Sequence, residues 1–161
     1  MKRYVYPLLI LLCLAAAARA GAEEAQFLQP RDADSFLVEM RGLRTQVRLI
    51  GVDAPEHGQE WGEKASEFTR RFCLQGPLEL EYDLDHYDRY NRLLCYVWAN
   101  GRMLNLEPVR AGLALPAYYR PNGKHRAQFE QAAADAKLAR SGFWAQGGLR
   151  LTPKAFRQAK K

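Results

Sequence analysis

The residues with the clearest chemical potential lie between Arg48 and Glu56, in the run Arg-Leu-Ile-Gly-Val-Asp-Ala-Pro-Glu. An apolar stretch with a strand-like pattern carries one arginine and ends at a turn that holds two carboxylates, Asp53 and Glu56. A guanidinium is costly to place in an apolar strand unless it meets an anion. The stretch therefore predicts a strand end that can hold a phosphate and a metal ion together.

A third carboxylate, Asp34, precedes this strand and can be brought to the same edge. Residues 36–40 and 47–52 alternate between apolar and polar positions on either side of a glycine-containing turn, which predicts two antiparallel strands. Pairing them brings Asp34 near Asp53, where Glu56 could orient or deprotonate a metal-polarised water. Oxygen ligands without histidine or cysteine suit Ca²⁺ or Mg²⁺. Solvated turn acids are the alternative, and spacing alone leaves both open.

Arginines and tyrosines elsewhere can supply contacts to a phosphodiester. Arg92 begins a second β-rich run, and together with Arg48 it could clamp a phosphate and stabilise its transition state. Alternatively, both arginines are structural and pair with Asp53 or Asp88. The tyrosines that could stack on a base are Tyr87, Tyr90, Tyr118 and Tyr119. Because tyrosine in β-rich loops more often packs, these residues alone do not indicate a site.

The remaining pattern predicts the elements that position these residues. We expect helices over residues 59–74, 104–111 and 124–140 and further strands over residues 78–82 and 92–98. Strands, one helix, more strands and then two helices, without βαβ alternation, predict an α+β fold in which helices pack against a small barrel. The length of 161 residues suits a single domain with one core.

The first twenty residues have the features of a secretory signal peptide. A short positive segment precedes an apolar run, and Ala-Arg-Ala at residues 18–20 is a small-residue cleavage pattern before Gly21. The run is short for a membrane span, although an uncleaved anchor helix is the alternative. We therefore expect a secreted or periplasmic protein without stable membrane insertion, and a folded domain over residues 21–147.

The basic character of the chain lies at its two ends. Removing residues 1–20 leaves 21 Lys and Arg against 18 acidic residues and lowers the formal net charge from +6 to +3. Five of those positive charges follow Gly148, so residues 21–147 carry a formal charge of −2. Overall charge is therefore weak support for a nucleic-acid partner. Residues 148–161 lack apolar periodicity, and we expect them to form a flexible basic tail.

Two cysteines remain after the leader is removed, Cys73 and Cys95. An oxidising compartment would permit one disulfide between them. Both lie in apolar patterns, however, and two buried thiols fit the sequence equally well. Their spacing does not match a metal site.

Four blocks, in order, closely resemble the thermonucleases, the staphylococcal nuclease family. They are the run at residues 48–56, Asp-Arg-Tyr-Asn-Arg at 88–92, residues 105–112 and Gly-Phe-Trp at 142–144. The resemblance extends from about residue 32 to residue 144. It implies a five-stranded OB-fold barrel with three helices, and a monomeric, Ca²⁺-dependent nuclease that acts on DNA and RNA and leaves 3′-phosphates.

The resemblance also implies a role for individual residues. The implied metal ligands are Asp34, Asp53 and the main-chain carbonyl of Ala54. The implied catalytic residues are Arg48 and Arg92, which would hold the phosphate, and Glu56, which would be the general base or orient water. The implied contacts to the neighbouring phosphate and sugar are Arg89, Tyr90 and Tyr119.

Three departures from the family pattern affect substrate affinity more than the reaction. Ala33 replaces a glycine between the two turn acids, and Ala54 replaces a threonine. Ala117 stands at the position of a base-stacking tyrosine, which Tyr118 could replace. The rival interpretation is an OB-fold protein that binds nucleic acid or oligosaccharide without cleaving it.

Overall fold

A closed β-barrel forms the core of the protein in a computed structural model that describes residues 22–160. The strands are β1 (Glu23–Asp32), β2 (Ser35–Met40), β3 (Leu43–Leu49), β4 (Val52–Asp53), β5 (Leu78–Glu81), β6 (Leu93–Ala99), β7 (Arg102–Met103) and β8 (Leu115–Pro116). The barrel order is β3-β2-β1-β5-β6, and parallel pairing of β3 with β6 closes it. This confirms the predicted α+β fold with a five-stranded OB-type barrel.

Helices pack around the barrel and lie mostly where the sequence predicts them. They are α1 (Gly62–Cys73), α2 (Glu107–Arg110), α3 (Arg126–Leu138), a 3-10 helix (Gly142–Gln146) and α4 (Pro153–Ala159). The three predicted helices correspond to α1, α2 and α3, and α4 is additional. Within residues 22–160, none of these helices is long and apolar enough to cross a membrane. The predicted signal peptide, residues 1–20, lies outside the described residues.

The hairpin of β2 and β3 forms because alternate side chains enter the core. Phe36 and Val38 are fully buried, and Val47 on the partner strand faces the same core. Arg41 and Gly42 connect the strands with φ angles of 52° and 75°, the left-handed backbone that tight hairpins need. This confirms the turn that the sequence predicts.

Both cysteines are buried free thiols, so the two-thiol alternative is the correct one. Burial raises the pKa of Cys73 to about 12 and also raises that of Cys95. The thiols therefore behave as small apolar core residues.

Asp83 ties the barrel to the loop before α3. Its carboxylate accepts hydrogen bonds from the N–H groups of Gly123 and Lys124 at 2.8 and 3.0 Å, and from the hydroxyl of Tyr96 at 3.1 Å. Burial acts to raise the pKa of Asp83, but these hydrogen bonds outweigh it and hold the pKa below the usual 3.8.

The lowered pKa of Asp83 predicts pH-dependent stability. A carboxyl whose pKa is lower in the folded state than in the unfolded state stabilises the fold. Its contribution to the free energy of unfolding is complete above the unfolded-state pKa and is lost as the pH falls through the folded-state pKa. We expect Asp83→Asn to lower the free energy of unfolding at pH 7 by about 1–2 kcal/mol, because hydrogen bonds to a charged acceptor are stronger.

Urea unfolding at several pH values measures this effect, with Asp85→Asn at the neighbouring exposed carboxylate as the control. The difference in the free energy of unfolding between wild type and Asp83→Asn should become smaller as the pH falls below 3.8. A difference that is equally large in acid would show that the charge of Asp83 contributes nothing.

Candidate active site

Asp34 and Arg48 form the buried base of the site, at the end of the barrel where β3 passes the turn between β1 and β2. Arg48 Nη1 lies 2.7 Å from Asp34 Oδ2 and also donates to the main-chain carbonyl of Asp34. Arg48 Nη2 donates to the carbonyl of Val52 at 3.0 Å. Asp34 Oδ2 accepts a further hydrogen bond from the N–H of Ala54 at 3.0 Å. Both ends of the predicted hairpin therefore meet at this carboxylate, as the sequence predicts.

Local hydrogen bonds fix the turn that carries Asp34. The register of β2 and β3 pairs Ser35 with Arg48, and the N–H of Leu49 donates to the carbonyl of Asp34 at 2.9 Å. The buried hydroxyl of Thr69 on α1 donates to the carbonyl of Ala33 at 2.6 Å. The turn is thus held by the strand on one side and by a helix on the other.

Asp53 and Glu56 share one guanidinium, which comes from the far end of the chain. Arg157 Nη1 and Nη2 on α4 lie 2.9 and 3.2 Å from Asp53 Oδ1 and Oδ2, and Nη1 also donates to Glu56 Oε1. Asp53 is only 6% exposed, and Arg48 Nη2 lies 3.9 Å from its Oδ1. Arg157 therefore supplies the nearest positive charge to both carboxylates.

This contact differs from the flexible tail that the sequence predicts for residues 148–161. The hydroxyl of Thr152 accepts a hydrogen bond from the N–H of Ala155 at 3.2 Å, and Pro153 occupies the first turn of α4. A threonine cap followed by proline is a recognised helix start, so the signal for α4 is present in the sequence. Seven residues are too few to show an apolar period, which is why periodicity alone misses this helix.

Opposing influences act on the pKa of Asp34. Burial is the largest influence and raises its pKa, the charge of Arg48 and the N–H of Ala54 lower it, and the nearby charge of Asp53 raises it again. The net pKa lies above the usual 3.8. Additional positive charge at this edge would therefore stabilise the ionised form of Asp34.

The oxygen atoms at this edge are of the chemical type that hard divalent cations bind. Asp34 and Asp53 offer carboxylates and Ala54 offers a carbonyl, without histidine or sulfur, which is the donor chemistry that Ca²⁺ prefers. Among residues 22–160, no group of three or more acidic, histidine or cysteine side chains is arranged to hold a metal. A Ca²⁺ ion here would thus depend on main-chain oxygen and water in addition to two carboxylates.

The turn that carries Glu56 is fixed by Gln59 and Gly62, which no sequence pattern singles out. The N–H of Glu56 donates to Gln59 Oε1 at 3.1 Å, and Gln59 Nε2 donates to the carbonyl of Leu151 at 2.8 Å. A Cβ at Gly62 would lie 2.1 Å from the carbonyl oxygen of Glu56, so only glycine lets α1 begin this close to the turn.

Asn105 ties the turn between β3 and β4 to strand β6. Its Oδ1 accepts from the N–H of Val97 at 2.8 Å, and its Nδ2 donates to the carbonyls of Ile50 and Cys95 at 2.9 and 3.0 Å. Asn105 is fully buried. Its position in one of the sequence blocks was the only signal for this role, since the pairing with Ile50 is a tertiary contact.

Arg92, Arg89 and Tyr90 form a second group in the loop before β6. Arg92 Nε and Nη2 lie 2.7 and 2.6 Å from Asp88 Oδ2, as the structural alternative predicted. Arg89 donates to the Tyr90 hydroxyl at 2.7 Å, and its guanidinium lies 4.7 Å from that ring. Because Val47 pairs with Leu93 and Arg48 with Leu94, this loop enters β6 next to the segment of β3 that carries Arg48.

Tyr118 and Tyr119 follow β8, whose Leu115 pairs with Asp53. The hydroxyl of Tyr118 donates to the carbonyl of Arg126 at 3.0 Å, and its ring packs against the core. Tyr119 is 64% exposed. Of the two, Tyr119 has the exposed ring that stacking on a base requires.

Comparison with known proteins gives one consistent result. The model of a family described as staphylococcal nuclease homologue matches residues 46–146. The chain is 35% identical to the thermonuclease of Staphylococcus hyicus over 136 residues, which cover 81% of this chain and 80% of that protein. It is 37% identical to the thermonuclease of Staphylococcus intermedius over 119 residues, covering 70% and 71%. It is 35% identical over 125 residues to the endonuclease YncB of Bacillus subtilis, covering 73% and 59%.

Proposed function

This chain belongs to the staphylococcal nuclease family and is a nuclease, and we propose that it hydrolyses phosphodiester bonds of both DNA and RNA with Ca²⁺ as its cofactor. The observation that carries the proposal is the buried ion pair of Asp34 and Arg48, with Asp53 and Glu56 beside it. A binding protein would have no need to bury this charge at a strand end.

Asp34, Asp53 and the carbonyl of Ala54 would hold the metal ion. When bound, Ca²⁺ would neutralise charge on the scissile phosphate and polarise the attacking water. The chain contributes the rigidity of these ligands, because Asp34 is hydrogen-bonded to Ala54 across the hairpin.

Arg48 and Arg92 would bind the scissile phosphate. Hydrogen bonds from Arg48 to the carbonyls of Asp34 and Val52 hold its guanidinium in one orientation, so little side-chain entropy is lost when a phosphate binds. Arg92 would exchange part of its pairing with Asp88 for the phosphate. Both guanidinium groups then donate to oxygens whose negative charge grows in the transition state.

Glu56 would accept a proton from the attacking water or hold that water in line with the bond that breaks. Water adds to phosphorus, the bond to the 5′ oxygen breaks, and that oxygen takes up a proton, so the phosphate stays on the 3′ side. Arg89, Tyr90 and Tyr119 would contact the neighbouring phosphate, sugar and base, because they are exposed in the two adjoining loops. Tyr118 would support this surface by packing.

We also propose that the mature protein is an exported monomer. The features of residues 1–20 support export to the periplasm or the medium. Expression of the full chain followed by cell fractionation and N-terminal sequencing tests this proposal. A mature protein that begins at Gly21 would support it, and retention of the intact leader in the cytoplasm would contradict it.

Arg92 provides the test of the proposed reaction. We expect Arg92→Ala to reduce kcat on single-stranded DNA and on RNA by about 10²–10³-fold, since a donor to the transition state is lost. Arg92→Lys should recover little, because an ammonium lacks the forked geometry. Arg110→Ala, at an exposed arginine on α2, is the matched control and should cleave at the wild-type rate.

Product ends and rates together decide between the two functions. Oligonucleotide digestion in Ca²⁺ should give 3′-phosphate ends by mass spectrometry. Wild-type rates for Arg92→Ala would remove Arg92 from the mechanism. If the protein binds DNA equally well with Ca²⁺ and with chelator and does not cleave it, the chain is the non-catalytic binding protein instead.

A further inference from the structure

We propose that α4 is an autoinhibitory latch, in which the guanidinium of Arg157 occupies the carboxylate edge and must leave before Ca²⁺ and substrate bind. The latch is defined here as residues 150–159. The inference rests on the proposed function, since it takes Asp53 as a metal ligand and Glu56 as the group that handles water.

The charges at the edge favour a latch that a divalent cation can displace. Asp34, Asp53 and Glu56 carry three formal negative charges, and Arg48 compensates one of them. Arg157 compensates one more and leaves one negative charge. A divalent ion would compensate both that remain after Arg48, so it can replace Arg157 with a gain in charge balance.

Arg157 and a metal ion compete for the same oxygen atoms. The two guanidinium nitrogens of Arg157 lie 2.9 and 3.2 Å from the two carboxylate oxygens of Asp53. An ion bound to either oxygen would meet a positive guanidinium within the same contact shell, which is repulsive in a site this buried. Binding of the ion and closure of the latch therefore exclude each other.

The same arginine also contacts Glu56. Arg157 Nη1 donates to Glu56 Oε1, so one acceptor site of this carboxylate is occupied while the contact lasts. One side chain thus contacts both the carboxylate that would bind metal and the carboxylate that would handle water. Release of Arg157 makes both carboxylates available in a single step.

Further contacts show that the latch docks in a defined position. Gln59, which holds the Glu56 turn, also donates to the carbonyl of Leu151 at 2.8 Å. Arg150 donates from its main-chain N–H and its Nε to the carboxylate of Glu60. Pro153 is buried. These contacts place α4 so that Arg157 reaches Asp53 across 104 residues of chain.

The latch is also weak enough to open. Arg157 is 38% exposed at its side chain and Arg150 is 86% exposed, and ion pairs at such exposure contribute little stability. A helix of seven residues whose buried residue is Pro153 belongs to the parts of a protein that open locally at low cost. Closed and open forms can therefore exchange without unfolding the barrel.

Competition of this kind raises the apparent Kd for Ca²⁺ by the inverse of the fraction of open molecules. Removing Arg157 should raise that fraction. Because ion pairs at this exposure contribute only modestly, we expect Arg157→Ala to bind Ca²⁺ about three- to tenfold more tightly than wild type. Linkage requires the reverse effect too, so Ca²⁺ should release α4.

Calorimetric titration of Ca²⁺ into wild type, Arg157→Ala and Lys154→Ala tests the competition. Lys154 is an exposed basic residue of the same helix, so its replacement removes the same charge without touching the carboxylates. Lys154→Ala should match wild type within about twofold, since an exposed charge is screened. Equal Kd values for Arg157→Ala and Lys154→Ala would overturn the latch.

The outcomes also separate the latch from the proposed function. Equal Ca²⁺ binding by all three proteins, with DNA cleavage intact, would reject the latch and leave the nuclease in place. No Ca²⁺ binding and no cleavage by any of them would reject both.

Amide hydrogen exchange of wild type provides a readout that does not depend on activity. We expect Ca²⁺ to accelerate exchange at residues 155–160, while the amides of the barrel strands keep their protection. In Arg157→Ala the amides of residues 155–160 should exchange rapidly even without Ca²⁺. Undiminished protection of α4 with the ion bound would overturn the proposal.

Discussion

Arg48→Ala is expected to abolish DNA cleavage and to destabilise the barrel at the same time. The phosphate loses a donor that is held in place by two main-chain carbonyls, so cleavage should fall by about 10³-fold. Asp34 loses the guanidinium 2.7 Å from its carboxylate and stays buried. Removing one partner of a buried ion pair typically costs about 3–5 kcal/mol, which we expect as the fall in the free energy of unfolding.

Two further variants separate the catalytic effect from the structural one. Arg48→Lys keeps a positive charge beside Asp34 but lacks the fork, so it should recover stability more than activity. Arg48→Met combined with Asp34→Asn removes both charges and should unfold less readily than Arg48→Ala, because no unpaired charge remains buried. Neither variant should recover cleavage.

The measurements are kcat/KM on a single-stranded DNA oligonucleotide and urea unfolding at pH 7. Cleavage by Arg48→Ala within about tenfold of wild type would contradict the catalytic role, since the lost donor should cost more than that. Unchanged unfolding would contradict the account of the buried pair.

Asn105→Leu is expected to be the most destabilising single change away from the site. Leucine has a similar shape but leaves the N–H of Val97 and the carbonyls of Ile50 and Cys95 without their buried partner. Each such group costs about 1–3 kcal/mol, so we expect a loss of about 3–5 kcal/mol or more. That is a large part of the 5–15 kcal/mol, roughly, by which small proteins are stable.

Thr69→Val is the matched comparison for Asn105→Leu. Thr69 is also buried, and valine is similar in shape to threonine. The substitution removes a single hydrogen bond, the one to the carbonyl of Ala33. We expect a loss of about 1–2 kcal/mol, clearly smaller than for Asn105→Leu. Equal losses in the two variants by urea unfolding would contradict the account of Asn105.

The sequence predicts those parts of the site that depend on local pattern. Alternation in residues 36–40 and 47–52, with a glycine turn between them, is enough to predict the hairpin. The hairpin in turn predicts that Asp34 and Asp53 approach each other, and the hydrogen bond between Asp34 and Ala54 confirms it. These inferences succeed because strand pairing across a short turn leaves few alternatives.

Choices of side-chain partner are harder to predict, because they depend on contacts between distant elements. The sequence leaves open whether Arg48 binds a phosphate or pairs with Asp53 or Asp88. In the structure Arg48 lies 2.7 Å from Asp34 instead, because the register of β2 with β3 pairs Ser35 with Arg48. The hydrogen bond from Asn105 to Ile50 exists only once β6, which Asn105 also contacts, and the turn after β3 have come together. Arg157 stands 104 residues from Asp53, on a helix too short for periodicity to reveal.

The most direct test of a Ca²⁺-dependent active centre at this edge is the rate of single-stranded DNA cleavage as a function of free Ca²⁺. Purified protein is stripped with chelator, and Ca²⁺ is then restored in steps. We expect no cleavage in chelator and a rate that rises with Ca²⁺ to saturation. Cleavage at full rate in chelator, or none at any Ca²⁺ concentration, would contradict this expectation.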